Sequence, residues 1–173
     1  VWAVGGGSPM DAAKVMAILA CQNIREEDIF SGNYGGEALP IIAIPTTSGT
    51  GSEVTPYAVL TNDQLKTKTS VATPLIFPVF AFLDGGYTDK LKQDITVDTA
   101  IDALSHSMEG YLSVKAGRIT DALAEQSMRY IGQVWDTMET GDYQPEDRDR
   151  LMMASTMAGM VIATTGTTLT KHT

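Results

Sequence analysis

The stretch Val1-Trp2-Ala3-Val4-Gly5-Gly6-Gly7-Ser8-Pro9-Met10-Asp11-Ala12-Ala13-Lys14 reads as a strand, a glycine turn and the start of a helix. Val1 to Val4 is a short apolar run of the kind buried in parallel sheets, and a helical pattern runs from Pro9 to Ala20. Glycines without a Cβ let the backbone come close to a bulky anion. Ser8 suits the cap of the helix, Pro9 its first position and Asp11 its third, a variant of the capping box. The first-turn N–H groups of such a helix point at whatever lies beyond the glycines, and its dipole favours a phosphate there. The spacing is not GxGxxG, so the ordinary dinucleotide fingerprint is absent. A bare strand-to-helix turn without ligand is the alternative.

Further along, two more short apolar runs, Pro40 to Pro45 and Val79 to Leu83, alternate with turn and helix signals. Together with Val1–Val4 they predict an α/β part built on a parallel sheet. Six of the seven prolines fall at or before Pro78, and seven of the nine methionines at or after Met108. This shift, with Leu, Ala and Met at helical spacing through 98–114, 118–139 and 146–163, predicts an all-α second part. The expected division puts 1–93 in the α/β domain and 94–173 in the helical one, with the boundary near Leu91 to Asp94.

Two polar constellations stand out within this frame. The loop Pro45-Thr46-Thr47-Ser48-Gly49-Thr50-Gly51-Ser52-Glu53-Val54-Thr55 follows a predicted buried strand, where open α/β sheets bind ligands. Its hydroxyls and glycines offer donors on a closely approachable backbone, or simply a Ser/Thr-rich turn. Lys66 and Lys68 follow on a polar stretch and could reach a phosphate or ribose, or stay solvated. In Ile101-Asp102-Ala103-Leu104-Ser105-His106-Ser107-Met108-Glu109-Gly110-Tyr111-Leu112, the apolar Ile101, Leu104, Met108, Tyr111 and Leu112 share one expected face. Asp102 and His106 lie one turn apart on another, where they could hold one divalent cation or form a solvated ion pair.

Composition removes several classes. Twelve Lys and Arg against 21 Asp and Glu give a net charge of −9 in 173 residues, so nucleic acid is not an expected partner. No apolar run has bilayer-spanning length, so a membrane is not expected either. The single Cys21 excludes an internal disulfide framework and suits a reducing compartment, so a cytoplasmic location is expected.

Taken jointly, GGGSPMDAAK at 5–14, IPTTSGTGSEVT at 44–55 and IDALSHSMEGYLS at 101–113 resemble the iron-containing (group III) alcohol dehydrogenases in wording, order and spacing. The resemblance spans essentially the whole chain. It implies a dehydroquinate synthase-like fold, with an incomplete Rossmann-like sheet followed by an incomplete helical part. It implies a metal-dependent, NAD- or NADP-linked oxidoreductase acting on a small alcohol or aldehyde. The resemblance assigns the dinucleotide pyrophosphate to Gly5, Gly6, Gly7 and Ser8, with Asp11 at the following acidic position. It assigns the nicotinamide and its ribose to Thr46, Thr47 and Thr50, and a cofactor contact to Lys68. Asp102 and His106 align with the first two ligands of Fe2+, with Zn2+ as the alternative metal.

The sequence then departs from the family pattern. A third ligand expected in a GTTxVH stretch falls on Lys171 of Gly166-Thr167-Thr168-Leu169-Thr170-Lys171. His172 is one residue late, about 100° around a helix. The chain is therefore expected to be the central piece of a dehydrogenase, with little activity alone. A homodimer of the complete protein is left open. So are a non-catalytic dinucleotide-binding module, a degenerate relative of the family and a purely structural helical partner.

Overall fold

The computed structural model describes residues 1–62 and 67–166. Strands β1 (Trp2–Gly5), β2 (Ile42–Pro45) and β5 (Phe80–Ala81) form a parallel sheet in the order β1-β2-β5. These are the three apolar runs read from the sequence. The register pairs Ala3 with Ala43 and Val4 with Ile44. Ala3 and Ala43 are buried, and their small side chains let helix α1 (Gly7–Leu19) lie close against that face. On the opposite face Trp2, Val4 and Phe80 are exposed. A short helix, α2 (Glu26–Phe30), adds Ile29 to the core under α1.

Helix α1 starts two residues earlier than its sequence suggests. Gly6 is the N-cap and no side chain caps the helix, so Ser8 lies within the first turn and Asp11 in the second. Asp11 is used elsewhere, and the expected capping box does not form. The polar stretch after the threonine loop belongs to a hairpin. Strands β3 (Tyr57–Asn62) and β4 (Thr67–Ala72) pair antiparallel, with Ala58 opposite Val71 and Thr61 opposite Lys68.

The second part is helical, as expected: α3 (Gln93–Tyr111), α4 (Arg118–Gln133), α5 (Trp135–Thr140) and α6 (Pro145–Thr165). The pattern through 118–139 breaks at Val134 into two helices. Gly141 then ends α5 at φ 84°, a conformation that favours glycine. Ala100, Ala103, Ile131, Val134, Leu151, Ala154 and Ala158 make the core here. Arg148 is buried among them; it donates to Thr96 Oγ1 at 2.8 Å and lies 4.0 Å from the Tyr143 ring centroid.

The face of α3 that packs is not the one its large apolar residues suggest. Ala100, Ala103, Ser107 and Gly110 are buried, whereas Ile101, Met108, Tyr111 and Leu112 are exposed and Leu104 alone of that expected face is partly buried against the core. Small residues win because α6 comes so close: a Cβ on Gly110 would run into Val161 Cγ1. The serines on this seam are satisfied internally. Ser107 meets Ser127 at 2.8 Å, and Ser127 donates to the Ala154 carbonyl at 2.8 Å. Among the described residues, no helix is long and apolar enough to cross a membrane.

Candidate functional site

The glycine turn and the threonine loop leave the same ends of adjacent parallel strands, β1 at Gly5 and β2 at Pro45, and they pack on each other. Thr46 N–H donates to the Gly5 carbonyl at 3.0 Å. A Cβ on Gly6 would sit 3.0 Å from Thr47 Oγ1, and one on Gly7 2.8 Å from Thr50 Cγ2. Gly5, at φ 146°, has Pro9 where its Cβ would go. All three glycines thus have a packing reason. What stays available is the helix end itself. The first-turn N–H groups of Gly7 and Ser8 have no intrahelical acceptor, and α1 has no acidic residue in its first turn to occupy them.

Asp11 faces the loop and not the end of the helix. Its Oδ1 accepts from Ser52 Oγ at 2.9 Å and its Oδ2 from Val59 N–H at 3.0 Å. One turn on, the fully buried Lys14 Nζ donates to Ser52 Oγ at 2.8 Å and to the carbonyls of Thr55 at 2.9 Å and Tyr57 at 2.7 Å. Burial pushes the Lys14 ammonium down to about 8 against the opposing pull of Asp11 and Glu53, and burial also raises the Asp11 carboxyl. The motif reading did not single out Lys14. A signal was present: it lies on the apolar stripe of Met10, Ala17 and Ile18, where a lysine must find partners.

The far end of the loop is bolted to the helical part. Gly51, at φ 61°, abuts α6, and its added Cβ would lie 2.5 Å from Gly159 Cα. Thr156 donates to the buried Glu53 Oε1 at 2.8 Å, and burial raises the Glu53 carboxyl. Gly49 meets α3, where its Cβ would lie 2.7 Å from Thr99 Cβ. Asp102 follows Thr99 three residues later on that helix.

Asp102 Oδ1 and His106 Nε2 are 3.7 Å apart. A cation bonded to both at ~2.0–2.2 Å in tetrahedral geometry needs a separation of about 3.4 Å, so a small rotamer adjustment suffices. One imidazole and one carboxylate suit Fe2+ or Zn2+. His106 Nδ1 and Ser48 Oγ are buried and make no hydrogen bond among the described residues. Among those residues no group of three His, Cys, Asp or Glu comes together. Lys66, Lys171 and His172 lie outside the described residues, and Lys68 is exposed on β4.

Two family models match the chain: the iron-containing alcohol dehydrogenase model over residues 1–85 and its C-terminal companion over 96–173. Aldehyde-alcohol dehydrogenase 2 of Entamoeba histolytica is 36% identical over 93% of this chain and 20% of its own. An iron-containing alcohol dehydrogenase crystal structure from Thermotoga maritima superposes with a TM-score of 0.87 at 45% identity, over 97% of this chain and 46% of that one. Sulfoacetaldehyde reductase from Bifidobacterium kashiwanohense, solved with NAD+, gives 0.92 at 34% identity, over 97% and 45%. The chain thus spans less than half the length of these relatives. With a parallel sheet followed by a helical part, and with both family models matched in order, the chain belongs to the iron-containing alcohol dehydrogenase family.

Proposed function

We propose that this chain carries the dinucleotide site and part of the metal site of an NAD(P)-linked dehydrogenase that moves hydride between a small alcohol or aldehyde and a nicotinamide. The observation that carries the reading is the direct packing of the glycine turn on the threonine loop, whose far end touches α3 one turn before Asp102. The names of the relatives, which include an aldehyde-alcohol dehydrogenase and a reductase bound to NAD+, support the same chemistry.

In this proposal the N–H groups of Gly6, Gly7 and Ser8 hold the pyrophosphate beside Gly5. Thr46, Thr47 and Thr50 orient the nicotinamide ribose, and Lys68 contacts the cofactor from the hairpin. Asp11 sits in the cofactor half but acts by holding the loop, since both its oxygens are engaged there. Asp102 and His106 hold a divalent cation, Fe2+ or Zn2+, which when bound supplies Lewis acidity toward the substrate oxygen. The division at 93/94 falls in the gap between the two matched family models.

Nicotinamide fluorescence during titration with NADH, followed by an alcohol oxidation assay with added Fe2+ or Zn2+, tests the reading. Saturable NADH binding with little turnover is expected, because two protein donors hold a cation weakly. Absence of saturable binding contradicts the dinucleotide site, and robust NAD(P)H-linked oxidation contradicts the two-donor account. A non-catalytic dinucleotide-binding module is the second reading. It is favoured by the lack of a third grouped donor among the described residues.

A further inference from the structure

We propose that Lys14 is a positioning residue for the nicotinamide half of the cofactor site, acting from α1 through the loop and hairpin that its ammonium holds in place. The inference rests on the dinucleotide reading above and goes beyond it, because Lys14 touches none of the residues assigned to the cofactor. An ammonium has three N–H bonds. Those of Lys14 are matched by three oxygens within 2.9 Å, on Ser52, Thr55 and Tyr57, with Thr55 Oγ1 further off at 3.4 Å. These three residues span the exit of the threonine loop and the first residue of β3, the strand paired with the one that carries Lys68.

Asp11 closes the arrangement. Ser52 Oγ accepts from Lys14 and donates to Asp11, while Asp11 also takes the Val59 N–H of β3. One helix thus begins at the proposed pyrophosphate turn and, two turns later, grips the segment that leads from Thr50 to Lys68. The two halves of the cofactor depend on it differently. The pyrophosphate meets the end of α1 directly, whereas the nicotinamide half meets residues whose position depends on Lys14. A buried, charged hydrogen-bond donor is costly to remove when its acceptors stay behind, so the loop would shift to water once the ammonium is gone.

The experiment compares ADP and NADH binding to the full chain in wild type, Lys14→Met and Ser52→Ala, with thermal melts to verify folding. ADP carries the pyrophosphate without the nicotinamide. Lys14→Met is expected to weaken NADH about tenfold or more and to lose the fluorescence enhancement of bound nicotinamide, while ADP affinity stays within about twofold. Ser52→Ala, which removes one acceptor and keeps the lysine, is expected to shift NADH in the same direction by about threefold; it carries the test if Lys14→Met does not fold. Equal loss of ADP and NADH, or unchanged NADH binding and fluorescence in the folded variants, overturns the positioning role while leaving the dinucleotide site intact. A wild-type chain that binds neither ligand overturns the dinucleotide reading and this inference with it.

Discussion

The proposed cofactor side and the proposed metal side of this site are built differently. Around the glycine turn and residues 45–57, Asp11, Lys14, Ser52 and Glu53 have protein partners, and the backbone is locked by glycine contacts with Thr47, Thr50, Thr99 and Gly159. On α3, Asp102 and His106 meet each other at 3.7 Å, and His106 Nδ1 has no hydrogen-bond partner among the described residues. The first region is held by packing before any ligand arrives. In the second, Asp102 Oδ1 and His106 Nε2 face each other across a span close to the one a shared cation needs. Substitutions at the glycine contacts of the first should therefore cost mainly stability, and substitutions in the second mainly ligand affinity.

The sharpest way to break that contrast is Gly51→Ala. Its φ of 61° and the backbone of Gly159 at 2.5 Å leave no place for a methyl group. A loss of about 3 kcal/mol or more is expected in urea unfolding, and a loss below about 1 kcal/mol would show that loop and α6 are not braced as described.

Glu53 refines the same point through pH. Its carboxyl is raised by burial, so its protonated form favours the fold; the stability it contributes is fully present below the ordinary carboxylate range and is lost as pH rises through the elevated value. Glu53→Ala, which strips Thr156 of its acceptor, is expected to cost about 2–3 kcal/mol. Glu53→Gln keeps an acceptor for Thr156 and should be about 1 kcal/mol more stable than wild type above the elevated value, with the difference vanishing in acid. Denaturation midpoints followed from acid to neutral pH and above read this out.

On the metal side, His106→Ala is expected to weaken Zn2+ or Co2+ binding about tenfold while shifting the melting temperature little. A large loss of stability would mean that His106 is a core residue and not a ligand. The smallest effect is expected at Lys68. It is exposed on β4, so Lys68→Ala should change stability by less than about 0.5 kcal/mol. NADH binding should weaken a few-fold, an effect that shrinks as salt is raised.

Much of this was legible in the sequence because it is local. Strand, glycine turn and helix at 1–20 announce themselves by composition, as does the hydroxyl-rich loop after Ile42–Pro45, whereas Asp102 and His106 stand out through the family resemblance more than through their spacing. The parts that escaped depend on tertiary contacts. The β3–β4 hairpin shows in the sequence only as a polar stretch after the threonine loop, and it is pinned by Asp11 at Val59 and by Lys14 at Tyr57. The packed face of α3 escaped because close helix approach selects Ala, Ser and Gly over Ile and Met, which inverts the usual apolar signal. Ser8 looked like a cap because its residue type favours one, but the helix begins at the glycines.

Titration of the chain with NADH in the presence of EDTA, beside Gly7→Val, tests the central claim most directly. The branched side chain introduced by that substitution would meet Thr50 and shield the first-turn N–H groups. Saturable, metal-independent binding of one NADH per chain, abolished in folded Gly7→Val, is the predicted result. Binding that requires added metal, or that survives unchanged in Gly7→Val, would contradict a preformed dinucleotide site at the head of α1.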